Sequence, residues 1–137
     1  MQISRKAEYA IFIMSHLAAE DEQPLPVKEI ASRQGMPENL MPQLSVVLSK
    51  QGWIQGKRGA GGGLSLVVDP AKISVRDVIE AVEGPIRVTE CILDKDCCSN
   101  QDDCPLHQVW QKAQSELVNV FENVTIKELS DRIRSKL

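Results

Sequence analysis

Residues 27–68 read VKEIASRQGMPENLMPQLSVVLSKQGWIQGKRGAGGGLSLVV, and this stretch decides the fold. Its first part predicts a short helix from Val27 to Gln34, because Gly35 suits the position just after a helix end. A second helix is predicted from about Pro37 to Lys50. Its buried stripe is formed by Leu40, Leu44, Val47 and Leu48. Two short helices joined by a tight, glycine-containing turn predict a helix-turn-helix.

A β-hairpin is predicted directly after these two helices. Trp53 and Ile54 open one strand, residues 57–63 (KRGAGGG) form a flexible basic tip, and the return strand from Leu64 alternates apolar and polar positions up to Asp69. A helix-turn-helix followed by such a hairpin is a winged helix. The glycines could instead form a phosphate-binding loop, but no Gly-Lys-Ser/Thr follows and no helix begins directly after them.

The helices on either side complete a fold that is mainly α with a small β-hairpin wing. A first helix is predicted over residues 4–19 with an apolar face, and another over residues 74–82 with a capping box of Ser74 and Asp77. Arg5 and Lys6 project from the first turn of the first helix, where the macrodipole disfavours cations. Either DNA phosphate or plain solvation would satisfy these two charges.

A long helix is predicted from about Pro105, and a last helix begins at Thr125. The long helix carries a narrow apolar seam whose steps of four and three residues are typical of a coiled coil. The seam consists of Leu106, Trp110, Ala113, Leu117 and Val120. We predict that it packs on a second copy of the chain, the alternative being that it covers its own domain. The expected division is residues 1–84 for DNA binding, 85–104 for a cysteine-rich loop, and 105–137 for dimerisation.

Composition narrows the class of function. The chain of 137 residues has a net charge of −3, which argues against a generally basic nucleic-acid binder. Locally, however, residues 33–58 carry four bases against one acid, and residues 90–103 carry five acids against one base. No apolar run has the length of a signal peptide or a membrane span, so a cytoplasmic location is expected.

All four cysteines and one of the two histidines lie within residues 91–107, CILDKDCCSNQDDCPLH. Polar neighbours make inert buried thiols improbable, and disulfides in the cytoplasm are mostly transient or redox-sensing. Thiolate-rich sites bind zinc or iron–sulfur clusters. The intervals lack the closely spaced pairs of zinc sites, and such wide, loop-borne spacing suits an iron–sulfur cluster better.

The sequence resembles a known family in four places: the helix-turn-helix, the wing RGAGGGLSL, the segment VRDVIEAVEGP, and the cysteine loop before a long helix. It is similar to the iron–sulfur subgroup of the Rrf-two (Rrf2) family of bacterial regulators, which has members of the IscR, NsrR and RirA types. The resemblance implies a homodimeric winged-helix transcription factor, most simply a repressor, that binds promoter DNA according to the state of its cluster.

The same resemblance implies a ligand set. IscR-like members hold a 2Fe–2S cluster with three cysteines and a histidine, which match Cys91, one of Cys97 and Cys98, Cys104, and His107. One extra residue between the first and third cysteines leaves the middle ligand open. NsrR-like members hold a 4Fe–4S cluster and take the fourth ligand from a carboxylate that matches Glu8. We favour His107 and 2Fe–2S, and we interpret His16 as structural.

For DNA, the resemblance points to the start of the second helix and to the wing tip. The expected DNA-binding residues are Arg5, Lys6, Pro37, Glu38, Asn39, Gln43, Lys57, Arg58 and Gly59. Pro42 stands where IscR-like members carry an acidic residue implicated in sequence discrimination, so their operator is not assumed for this chain. No catalytic constellation is evident. The rival hypotheses are a zinc-containing regulator, a metal-free thiol sensor and an electron-transfer iron–sulfur protein.

Overall fold

The fold is known from a computed structural model that describes residues 2–98 and 101–136. It contains a two-stranded antiparallel hairpin, β1 (Ile54–Lys57) and β2 (Gly63–Leu66), in an otherwise helical chain. The helices are α1 (Arg5–Ala19), α2 (Val27–Arg33), α3 (Met41–Lys50), α4 (Val75–Glu83), α5 (His107–Glu122) and α6 (Ile126–Arg134). The predicted fold class, mainly α with a β-hairpin wing, is confirmed. None of the helices described is long and apolar enough to cross a membrane.

Helix α1 lies at the centre of the molecule. Its N-terminus is capped by Ser4, whose hydroxyl accepts a hydrogen bond from the backbone N–H of Ala7 at 3.1 Å. Its apolar face packs against α4 and α6 and is completely buried at Ile13, Met14 and Leu17. Because α1 contributes so much of the buried surface, the other helices are positioned relative to it.

The segment predicted as one helix from Pro37 to Lys50 divides into two parts. A 3₁₀ turn covers Glu38–Leu40, and the α-helix α3 starts only at Met41. Pro42 lies in the first turn of α3, where its missing N–H has no intrahelical partner to lose. The proline therefore starts the helix instead of bending it, because an α-helix continuing upstream would bring its ring against the carbonyl of Glu38.

The wing is attached to the rest of the domain along one side. Its strands pair from Ile54 with Leu66 to Lys57 with Gly63. Leu64 also forms an antiparallel bridge with Leu25, with both backbone N–H···O=C bonds at 2.9 Å. A Cβ at Gly63 would overlap the carbonyl oxygen of Leu25, so only glycine permits this approach. The wing is thus held by backbone hydrogen bonds to the loop just before α2.

The last two helices differ in how they are packed. Helix α6 packs along α1, with Ile126 completely buried and its N–H bonded to the carbonyl of Ile73 at 2.8 Å. Helix α5 rests on α4 but contains no fully buried residue. About half of each of three large apolar side chains of this region stays exposed, namely Leu106, Val109 and Val120. Helix α5 therefore leaves an apolar surface uncovered within one chain.

Candidate DNA-binding surface and cysteine site

The nine residues predicted to bind DNA are all exposed. Pro37, Glu38 and Asn39 lead into α3, and Gln43 lies in its first turns, while Lys57 to Gly59 form the start of the wing tip. A groove of about 360 Å³ runs between α3 and the wing, with Lys50 among its lining residues. Helix α3 and the wing thus flank one groove, whose rim includes Lys50.

Two arginines near this surface are engaged in ion pairs within the chain. The guanidinium of Arg5 lies 3.0 Å from the Glu8 carboxylate and 5.5 Å from the centre of the Tyr9 ring. Its hydrogen bond to Glu8 is the main cause of a raised pKa. Arg33, counted above among four local bases, lies 2.7 Å from both Glu20 and Glu29. The charge of Arg33 is therefore balanced within the chain, and the local surplus of positive charge comes from Lys50, Lys57 and Arg58.

His16 links α1 to the end of α2. It is only 6 % exposed, and its Nε2 atom lies 2.9 Å from the side-chain amide nitrogen of Gln34. Its Nδ1 atom is buried without a hydrogen-bond partner among the described residues. Burial, followed by the nearby Arg33, lowers the pKa of His16. A neutral ring that accepts a hydrogen bond from Gln34 fits the structural role predicted for it.

The cysteine loop brings Cys91 and His107 to a common cavity of about 300 Å³. The other residues that line it are Ile92, Lys95, Gln111, Gln114 and Ser115. The Nδ1 atom of His107 is buried and has no hydrogen-bond partner within the described ranges. The Sγ atom of Cys91 lies 3.0 Å from the hydroxyl of Thr89. A buried imidazole nitrogen without a hydrogen-bond partner is available to a further group, and His107, unlike His16, lines a cavity together with a thiol.

The other cysteines are less enclosed. Cys97 and Cys98 are exposed and Cys104 is partly buried, and none of the four cysteines forms a disulfide. Partial desolvation raises the pKa of the Cys97 thiol, and the neighbouring Cys91 and Asp94 raise it further. The backbone N–H of His107 donates to the carbonyl of Cys104 at 3.2 Å, which fixes the step between these two residues.

The cysteine loop and the start of α5 contain the donor types of a cluster site, but these side chains do not lie close together. Within residues 2–98 and 101–136, no three His, Cys, Asp or Glu side chains lie close enough together to hold a metal ion. Three thiolates and an imidazole are nevertheless donors that iron–sulfur centres accept. Cys91 and His107 already face one cavity, so the donor types fit the group, and Cys104 and one of Cys97 and Cys98 would have to move toward that cavity to complete the set.

Two polar residues of this site, Thr89 and Gln114, were missed from the sequence. The Gln114 amide donates to the carbonyl of Ile86 at 2.6 Å and accepts from the N–H of Val88 at 2.9 Å. One signal for it was available, because Gln114 follows His107 by seven residues and so lies on the same face of α5. No local sequence signal marks Thr89.

The remaining predicted site residues are distributed elsewhere. Glu8 lies on α1, where it is paired with Arg5 and remains partly exposed. Of the predicted seam on α5, Leu117 packs against the cluster of Ala7, Ile79 and Ile86, whereas Val120 faces outward. The ligand, DNA and dimer assignments therefore stay predictions whose residues now have defined positions.

A helix-turn-helix whose second helix stands beside a basic wing defines a winged-helix DNA-binding protein. Residues 3–132 match the family described as "Rrf2: Iron-dependent Transcriptional regulator". The chain belongs to this Rrf2 family of transcriptional regulators, and the recognised resemblance is confirmed.

Individual relatives agree with this membership. The transcriptional regulator IscR of Escherichia coli O1:K1 is 34% identical over 130 residues, which cover 94% of this chain and 80% of IscR. CymR of B. subtilis, described as the global cysteine regulator, is similar in structure with a TM-score of 0.80 and 28% identity, over 96% of this chain and 98% of CymR. IscR of T. potens has a TM-score of 0.75 and 30% identity, over 99% of this chain and 90% of the T. potens chain. These relatives are regulators, in line with the prediction of a protein that is not an enzyme.

Proposed function

We propose that this regulator is a homodimeric repressor, located in the cytoplasm, whose binding to promoter DNA depends on an iron–sulfur cluster held between Cys91 and His107. The observation that carries the proposal is the buried, unpartnered Nδ1 atom of His107 in the cavity that Cys91 also lines. The similarity to two IscR proteins and to an iron-dependent family supports it.

The cluster ligands in this proposal are Cys91, Cys104, His107 and one of Cys97 and Cys98. When bound, an iron–sulfur cluster supplies a redox- and iron-sensitive centre whose loss or oxidation reports iron supply, redox state or nitric oxide. The exposed pair of cysteines reaches the cavity by a rearrangement of the loop around Asp94–Asp96, whose backbone is held by the short turn from Asp94 to Cys97. The 2Fe–2S form uses His107, and a 4Fe–4S form would use Glu8 of a second copy instead.

In the proposed DNA complex, the 3₁₀ turn and the first turn of α3 read base edges, and the wing contacts the minor groove and the phosphate backbone. Asn39 and Gln43 are the side chains placed for base contacts in the major groove, and Arg58 at the wing tip for the minor groove. Lys57 and the backbone of Gly59 contact phosphates, as do Lys6 and, once released from Glu8, Arg5. Pro37 and Glu38 shape the approach to α3.

The proposed dimer forms through helix α5, whose exposed apolar side chains have no partner within the described part of the chain. In this proposal residues 1–84 bind DNA, residues 85–104 hold the cluster, and residues 105–137 join the subunits. The cluster loop leads directly into α5. A change in that loop therefore alters the geometry of the dimer, and with it the distance between the two copies of α3.

Anaerobic purification followed by visible absorption, native mass spectrometry and DNA binding tests the proposal. We expect a coloured dimer whose mass includes iron and sulfide, and whose affinity for its promoter changes when the cluster is removed by a chelator. The number of irons distinguishes 2Fe–2S from 4Fe–4S. A protein that takes up no iron, with DNA binding unaffected by chelation, would contradict the cluster mechanism and leave the DNA-binding assignment unaffected.

A second candidate is a metal-free thiol sensor, favoured by the adjacent, exposed Cys97 and Cys98 and by the similarity to the cysteine regulator CymR. In this mechanism an oxidant converts an exposed thiol to a sulfenic acid or a disulfide, which a reductant restores. The sensor hypothesis predicts that DNA binding responds to peroxide and dithiothreitol in chelator-treated protein. A zinc-containing regulator would be colourless and would not respond to reductant.

A further inference from the structure

We propose that Gln114 is a positioning residue: its side-chain amide fixes the segment that leads into Cys91 to helix α5, so that Cys91 and His107 face the same cavity. This inference rests on the proposed function, because it assigns a role in a site that the cluster is proposed to occupy. Gln114 would belong to that site as a residue that positions the ligands and is not itself a ligand.

The geometry of the contact carries the inference. Gln114 donates to the carbonyl oxygen of Ile86 at 2.6 Å and accepts from the N–H of Val88 at 2.9 Å. A single side-chain amide thus satisfies both a carbonyl and an N–H of one irregular segment, as a neighbouring β-strand would. The segment and the helix are far apart in sequence, so tertiary contacts hold them together: Leu117 of α5 packs against the cluster that contains Ile86, and the Gln114 amide holds Val88 beyond it.

The position of this contact links the two ends of the cysteine loop. Val88 precedes Cys91 by three residues, and Gln114 follows His107 by seven, on the same face of α5. Ile86 is buried against Ile79 and Ala7, so the segment is also anchored to α4 and α1. If the amide were lost, the segment after Ile86 could separate from α5 while the cores of both parts remained intact.

Helix α5 provides a matched control in Gln111. It is the same residue type, lies about one turn before Gln114 and lines the same cavity, but its side chain forms no hydrogen bond within the described ranges. The variants Gln114→Leu and Gln111→Leu make the same chemical change on the same helix. Only Gln114→Leu removes the two hydrogen bonds.

The first measurement is amide hydrogen exchange at Val88 in the metal-free protein, which requires no cluster. We expect exchange about tenfold faster in Gln114→Leu than in wild type, because local opening becomes easier when the acceptor is lost, and no change in Gln111→Leu. Circular dichroism checks that each variant is folded. If Gln114→Leu does not fold, Gln114→Asn is used, since it withdraws the amide by one methylene and retains its polarity.

The second measurement is made on protein reconstituted anaerobically with ferrous iron and sulfide. We expect the Gln114 variant to lose its cluster to a chelator at least about fivefold faster than wild type and to show an altered visible circular dichroism spectrum. Because Gln111 lines the same cavity, its variant measures the effect of adding an apolar side chain there, and the effect assigned to the amide is the excess of Gln114→Leu over Gln111→Leu.

The outcomes separate the two proposals. Wild-type exchange at Val88 in a folded Gln114 variant overturns the inference, and so does faster exchange with an unaltered cluster spectrum and rate of loss. A wild-type protein that takes up no iron overturns the proposed function instead, and the exchange measurement then still decides whether the amide holds the segment to α5.

Discussion

At the scale of single residues, His16 shows how burial alters a titratable group beside the helix-turn-helix. Its pKa lies below the ordinary value of 6.5 because of burial and the nearby Arg33, which outweigh the opposing effect of Glu20. In the unfolded chain the ring takes up a proton below about pH 6.5, whereas the folded protein keeps it neutral to a lower pH. Protons therefore favour the unfolded state.

We expect the free energy of unfolding to fall as the pH is lowered through about 6.5, with His16 contributing up to about 1.4 kcal/mol per pH unit. Urea unfolding between pH 7.5 and 5.5 measures this slope. The variant His16→Gln should flatten it, because glutamine does not titrate. An equal slope in both proteins would show that His16 does not couple folding to pH.

Arg58 gives a prediction for DNA binding. The variant Arg58→Ala should lower affinity for promoter and unrelated DNA alike, and reduce the slope of log affinity against log salt by about 0.9, the value expected when one cationic side chain no longer displaces a counterion from DNA. Fluorescence anisotropy at several salt concentrations measures both. Lys72→Ala, which removes an exposed charge outside the helix-turn-helix and wing, is the control. A salt slope equal to that of wild type would contradict the placement of Arg58 on DNA.

Residue types alone predicted part of the site. The density of thiols in a polar segment marked the cysteine loop, and the structure brings Cys91 and His107 to one cavity. Gln114 and Thr89 could not be predicted in the same way. A glutamine on a helix is ordinary in sequence, and its role depends on a backbone segment from a distant part of the chain.

At the scale of elements, helix α5 is the least covered part of the fold. Val109 and Val120 are separated by eleven residues, about three helical turns, and so lie on one face, each about half exposed. The double variant Val109→Asp/Val120→Asp should raise the dimer dissociation constant at least about a hundredfold, because two apolar contacts become buried charges. Analytical ultracentrifugation measures it.

Leu117→Ala is the contrasting change on α5. Leu117 packs against the cluster of Ile79 and Ile86 in its own chain, so this variant should lower stability more than dimer affinity. A dimer that persists in the double variant would assign the exposed face of α5 to another role. These two faces could not be separated from the sequence, because a regular spacing of apolar residues does not indicate which neighbour each residue contacts.

Helix boundaries were predictable where a capping residue marks them. Ser74 and Asp77 form the predicted capping box, with hydrogen bonds of 3.0 and 2.9 Å. The start of α3 was placed too early, because Pro37 and Pro42 both suit a first helical turn and only the second begins the α-helix.

At the scale of the whole molecule, the first and last helices share one core. Ile126 of α6 is fully buried in the same cluster as Ile13 and Met14 of α1. The variant Ile126→Ala should lower the free energy of unfolding by about 2–5 kcal/mol in a single transition. Lys127→Ala on the exposed side of α6 should change it by less than about 0.5 kcal/mol. Two separate transitions in urea would instead mean that α6 unfolds independently.

The pairing of α6 with α1 was not predictable from the sequence. The apolar stripes of both helices were apparent, but which stripes meet depends on the path of the whole chain between them. The winged-helix arrangement was predictable because its parts are consecutive, so that local signals alone determine it.

The bridge between Leu25 and Leu64 has a consequence for the operators that this regulator recognises. Because backbone hydrogen bonds join β2 of the wing to the loop before α2, we expect the wing tip and α3 to keep a constant separation. That separation corresponds to a fixed distance along the DNA. Every half-site bound by this protein should therefore show the same number of base pairs between the position read by α3 and the position where the wing enters the minor groove, whatever the sequence between them.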